Sequence, residues 1–225
     1  MTGVLFVHGL WHSAGCWDAV RDRLDVAGVR SDAVQLPMSS LEDDVAVTRA
    51  ALDAIDAPTI LVGHSYGGAV VTAAGAHPSV LRLVYVAAFQ LAAGESVNRA
   101  VPDRDIPPTR LGEALRWSAD GRWCELDPEL GAQLLYNGVA PAVAAAAVAA
   151  LRPANRLVFG GVPDTIGWHT TPSTYVVCTE DLTVAPDLQR AMAERATDVV
   201  QWPTGHCPML SRPDLVADLL VAAVA

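Results

Sequence analysis

Short runs of apolar, mostly β-prone residues recur along the chain with helical patterns between them. The runs are Val4 to His8, a second ending in Val34-Gln35-Leu36-Pro37, then Thr59-Ile60-Leu61-Val62, Leu83-Val84-Tyr85-Val86, Thr174-Tyr175-Val176-Val177 and Val199-Val200-Gln201-Trp202. They do not alternate cleanly between apolar and polar, which is how strands covered on both faces read. Trp17, Val20 and Leu24 recur at helical spacing, as do Leu41, Val45, Leu52 and Ile55. Residues 66–77 are apolar nearly all round, as in a helix packed at the centre of a fold. A last helix starts at the cap-like Ser211-Arg212-Pro213-Asp214 and carries Leu215, Val216, Leu219, Leu220 and Ala223 on its buried face. Strand and helix in alternation predict an α/β fold, a doubly wound and mostly parallel sheet with helices on both faces.

The alternation breaks between about residues 95 and 172, where helix-like stretches and prolines occur without a clear strand. The pattern predicts one domain over residues 1–225 with a helical cap inserted at about 95–172. Trp117, Trp123, Tyr136 and Trp168 are too many large rings for a simple linker. They either line a pocket under the cap or glue the insertion to the core.

Composition narrows the classes. At 225 residues, 52% hydrophobic and 18% charged, the chain can bury one sizeable core. No apolar run reaches the roughly 18 residues of a membrane span. The chain enters its first strand without a basic n-region or cleavage site, so no export is expected. Four widely spaced cysteines suggest neither a disulfide framework nor a thiolate zinc site and suit a reducing cytoplasm. The net charge is −10, and all 15 basic residues are scattered arginines, which disfavours a nucleic-acid partner. The expected partner is a small-molecule substrate, with no membrane association, and the chain is expected to be a monomer or homodimer.

Gly63-His64-Ser65-Tyr66-Gly67-Gly68 follows an apolar strand and opens an apolar helix. This is the setting of a G-x-S-x-G nucleophile elbow, whose strained turn admits only small flanking residues. A serine hydroxyl needs a base to become nucleophilic at neutral pH. His206 lies in Trp202-Pro203-Thr204-Gly205-His206-Cys207-Pro208, between the last strand and the last helix, and is the best placed; His169 is its rival. Cys178-Thr179-Glu180-Asp181-Leu182-Thr183 follows the fifth strand and offers the orienting acid. Asp181 is preferred to Glu180 because a short carboxylate suits a turn. The backbone N–H groups of Leu10 and Tyr66 are expected to bind the oxyanion, with Gly9 allowing close approach. Without H-E-x-x-H, a Cys/His ligand pair or G-x-G-x-x-G, neither a metal nor a dinucleotide cofactor is expected.

His8-Gly9-Leu10-Trp11-His12, the elbow, Tyr175 to Asp181 and Gly205-His206-Cys207-Pro208 together resemble the plant methylesterase and hydroxynitrile lyase branch of the α/β-hydrolases and its bacterial relatives. The resemblance spans nearly the whole chain and is weakest in the cap. It implies a cofactor-free enzyme with a truncated parallel sheet of six strands and a helical cap over an apolar pocket. The lyases of the branch carry threonine after the first-strand histidine and lysine after the catalytic one. Gly9 and Cys207 stand at those positions, which favours an esterase.

The expected activity is hydrolysis of small uncharged carboxylic esters, lactones or thioesters through an acyl-enzyme on Ser65. The alternatives are a lyase or cyclase-like enzyme on the same triad, or a ligand-binding receptor. The pocket is expected to draw on Gly9, Trp11, Phe89, Trp117, Trp123, Leu134, Leu135, Tyr136 and Trp168.

Overall fold

The computed structural model describes residues 2–55 and 57–224. Strands β1 (Gly3–Val7), β2 (Ser31–Val34), β3 (Thr59–His64) and β4 (Val80–Val86) come first. An excursion follows that contains the short strands β5 (Leu115–Trp117), β6 (Trp123–Leu126) and β7 (Ala154–Asn155). The chain then returns as β8 (Ser173–Cys178) and β9 (Asp198–Trp202). Helices α1 (Asp18–Val26), α2 (Leu41–Ala54) and α3 (Gly67–Ala74) join the first four strands. The excursion carries α4 (Pro128–Leu135), α5 (Pro141–Ala149) and α6 (Leu157–Gly160). Beyond it lie α7 (Pro186–Ala193), α8 (Pro208–Ser211) and α9 (Pro213–Val224).

The main sheet has six strands in the order β2-β1-β3-β4-β8-β9, and every pairing in it is parallel. The interior strands β1, β3 and β8 are buried at every position, which is why they read as continuous apolar runs, whereas the edge strands β2 and β9 are half-exposed. The strand order reverses direction at β1. With right-handed crossovers, α1 therefore lies on the opposite face from α2 and α3. A crevice opens beyond the carboxyl ends of β1 and β3, where ligands bind in open α/β sheets.

Three expectations are corrected. Strand β2 ends at Val34, because the Leu36 amide donates to His8 Nε2 at 3.1 Å in place of a ladder partner. Ala223, expected on the buried face of the last helix, is exposed near the end of α9, while Val216 and Leu220 face the core. The excursion is not purely helical: β5, β6 and β7 form a small antiparallel sheet. Its strands are only two to four residues long, at or below the shortest run in which alternation identifies a strand.

Candidate active site

Ser65 sits between β3 and α3 with φ +52°, a conformation that costs a residue with a side chain roughly 1–3 kcal/mol. The turn is tight because its flanks carry no side chain. A Cβ on Gly63 would lie 2.7 Å from the Gly67 carbonyl oxygen, and one on Gly67 would lie 2.5 Å from that of Val7. The Ser65 amide donates to Val86 O at 3.3 Å, and the Phe89 amide donates to Ser65 O at 3.0 Å. The elbow is thus bonded to the end of β4.

His206 and Asp181 are buried together. His206 Nδ1 donates to Asp181 Oδ2 at 2.7 Å, and Nε2 has no protein partner among the described residues. Since a carboxylate only accepts, the bond places the proton on Nδ1 and leaves the Nε2 lone pair free. Asp181 Oδ1 accepts from the amides of Thr183 (2.7 Å) and Val184 (2.9 Å), and Oδ2 accepts a second bond from Gln189 Nε2 (2.7 Å). Glu180 points outward and contributes only its backbone, its amide donating to Thr204 O and its carbonyl accepting from Asn137.

The residue before the nucleophile joins these parts. His64 Nε2 donates to His206 O at 2.9 Å, and the two rings lie 4.6 Å apart. Burial, then the neighbouring His206 and His12, push the His64 imidazole well below its usual range. Burial likewise lowers His12 to about 3, and Cys207, beside the base, has its thiol pushed well above the usual range. Neither is suited to compete for the serine proton. His169 is exposed and packs edge-on against Trp168. That segment packs where Gly167 meets Gly75, at the end of α3 opposite Ser65, so the structure does not place His169 as a base.

Leu10 and Tyr66 flank Ser65 in the wall of a cavity of about 370 Å³, and neither backbone N–H has a protein acceptor among the described residues. Gly9 lies behind this wall, where a Cβ would come within 2.8 Å of Ser65 Cβ. The Tyr66 hydroxyl donates to the buried Asp44 at 2.6 Å, and burial raises that carboxyl to about 6.

Of the expected pocket residues, Trp11 and Phe89 line the cavity and the others do not. Trp117 and Trp123 are 46% and 38% exposed; Trp117 packs on Phe159 with Arg156 over its ring. Trp168 donates to Leu91 O, Tyr136 bonds His12, and Leu134 and Leu135 are buried away from the cavity. Trp168 and Tyr136 thus fasten the insertion to the core, whereas Trp117 packs within the insertion. The walls come instead from Val97, Val101, Leu111 and Phe159 of the insertion and from Val184 and Leu188 beside the acid loop. The apolar residues of 97–111 and Thr183-Val184-Ala185 were the available signals, without the large rings that draw attention.

A parallel sheet that presents a serine elbow, a buried histidine–carboxylate pair and an apolar cavity at its carboxyl edge defines a hydrolase of the α/β class. The chain belongs to the alpha/beta hydrolase family, which it matches over residues 4–219, and is an esterase-like hydrolase. It is 28% identical to the alpha/beta hydrolase nvfD of Aspergillus novofumigatus, over 96% of this chain and 94% of that one. It is 27% identical to Methylesterase 7 of Arabidopsis thaliana, again over 96% and 94%. The fold superposes on polyneuridine aldehyde esterase with a TM-score of 0.87, covering 100% of both chains at 20% identity. Among the described residues no helix is long and apolar enough to cross a membrane.

Proposed function

We propose that the protein hydrolyses small uncharged carboxylic esters, lactones or thioesters through an acyl-enzyme on Ser65. The observation that carries the reading is the buried His206, bonded through Nδ1 to Asp181 and free at Nε2, in a chain whose elbow serine lines an apolar cavity. In this mechanism Ser65 Oγ attacks the substrate carbonyl carbon as its proton passes to His206 Nε2. The amides of Leu10 and Tyr66 bind the oxyanion, each worth roughly 3–4 kcal/mol in the transition state. The imidazolium, held by Asp181, then protonates the leaving alcohol or thiol, and the carbon–heteroatom bond breaks. Water attacks the acyl-enzyme with His206 again as base, which releases the acid and restores the serine.

Uncharged acyl groups are favoured by walls built from Leu10, Trp11, Phe89, Val101 and Leu188, and the one cation that lines the cavity among the described residues, Arg104, is paired with Glu194. A series of p-nitrophenyl esters tests this directly. Medium-length acyl chains are expected to exceed acetate in kcat/KM, since each buried methylene adds about 0.8 kcal/mol of binding. Activated esters are expected to show a burst of p-nitrophenol when deacylation is the slower step. No turnover of any ester, lactone or thioester by the folded protein would contradict the reading, and aldehyde and cyanide release from a cyanohydrin would replace it with a lyase.

A further inference from the structure

Gln189 is a polar side chain on the inner face of α7, fully buried, and no step of the reaction above uses it. All its polar atoms are committed. Nε2 donates to Asp181 Oδ2 at 2.7 Å and to Val184 O at 2.8 Å, while Oε1 accepts from the Cys178 amide at 2.9 Å. The neighbours dictate this orientation: a flipped amide would turn its oxygen toward two acceptors and its NH₂ toward a donor.

The bond to Oδ2 falls on the oxygen that receives His206 Nδ1. With Thr183 and Val184 on Oδ1, the Asp181 carboxylate has two donors on each oxygen and cannot rotate without losing them. A donor that shares Oδ2 also draws off part of its negative charge, and so limits how strongly that oxygen holds an imidazolium proton. A carboxylate could not do this without repulsion, and an ammonium would pair with Asp181 in place of His206. A neutral amide holds the acid while leaving the charge balance of the site to His206 and Asp181.

We propose that Gln189 is a positioning residue of the triad, acting through Asp181 to fix the orientation and basicity of His206. The proposal rests on the serine-hydrolase reading above. Other groups face the same site: His64 at the end of β3, His12 after β1, Cys178 and Tyr175 on β8, and Cys207 beside the base. Burial keeps the thiols and phenol protonated, with Cys178 pushed up to about 12, and keeps His12 and His64 neutral, so none supplies a competing charge.

The test compares wild type, Gln189→Met and Gln189→Glu by kcat, KM and the pH profile of kcat/KM, with phosphonylation of Ser65 followed in each. Loss of both donors in Gln189→Met is expected to lower kcat on the order of 10- to 100-fold with KM little changed. The acid limb should move to higher pH, because the uncovered Oδ2 retains the imidazolium proton more strongly. Gln189→Glu is expected to recover most of the rate at the acidic end: two buried carboxyls this close keep one proton, whose O–H replaces the amide donor. A new loss of rate should appear as that proton leaves at higher pH. A purely structural role predicts lower thermal stability in both variants with an unmoved pH profile and no advantage of Glu over Met, and that result would overturn the proposal. Should Gln189→Met fail to fold, the bell-shaped profile of Gln189→Glu decides alone. A wild type that neither labels nor turns over would refute the underlying reading instead.

Discussion

At the scale of single residues, Asp181 and Glu180 separate local chemistry from sequence proximity. Both are acids in one turn, yet only Asp181 reaches His206, and four donors hold its carboxylate while the Glu180 side chain faces solvent. Asp181→Asn is expected to lower kcat by about 10⁴, because an amide in that place can leave the imidazole in the wrong tautomer. Glu180→Gln should change kcat by less than about twofold, since the backbone makes that residue's bonds; steady-state kinetics on one activated ester check both, and the reverse order would move the role to Glu180. The positions that come together here are legible in the sequence because each obeys a local rule: glycines flanking a serine after a strand, a short acid in a turn, a histidine in the last loop. Gln189 is not legible in that way. A glutamine in an amphipathic helix reads as solvent-facing, although Met192 and Ala193, three and four residues on, share its buried face.

At the scale of elements, the insertion is held by ion pairs from two adjacent residues after α7. Arg195 grips both oxygens of Glu95 at 2.6 Å and also donates to Gln90 O, while Glu194 pairs with Arg104. Glu95 in turn accepts from the amides of Ala92 and Val101, so the clamp sets the start of the segment that walls the cavity. Arg195→Ala leaves that carboxylate largely buried and unpaired. It is expected to cost roughly 1–3 kcal/mol of stability and to raise KM for long acyl chains more than for acetate. Thermal melts and the ester series measure the two effects, and an unchanged chain-length preference would detach the clamp from the pocket. The central strands could be read from sequence because burial on both faces leaves continuous apolar runs. The small sheet could not, because in Trp123-Cys124-Glu125-Leu126 the indole faces outward and Cys124 and Leu126 inward. Its alternation is real but too short, and a tryptophan on the solvent side inverts the usual reading.

At the scale of the whole molecule, buried imidazoles couple stability to pH. Burial lowers His8 to about 4 and His12 to about 3 from 6.5, and His64 lies well below 6.5. Above about pH 6.5 these rings are neutral in the folded and unfolded chain alike. As the pH falls below that, the unfolded chain takes up protons that the fold refuses, and each ring removes about 1.4 kcal/mol per pH unit until its folded value is reached. Asp44 acts in the opposite sense: raised to about 6 from 3.8, it protonates in the fold before it does in the unfolded chain and offsets part of the loss. Three groups outweigh one, so the melting temperature is expected to hold near pH 7 and to fall as the pH drops from about 6.5 to 5; a flat calorimetric profile over that range would show that the rings are not buried neutral. The same enclosure isolates the base beside Ser65, and the central claim is that this serine alone is activated. The most direct measurement is treatment of the folded protein with a fluorophosphonate, followed by mass spectrometry of its peptides. The account predicts one adduct, on Ser65, absent from Ser65→Ala and lost in His206→Ala; an adduct on another residue, or none on folded wild type, would contradict it.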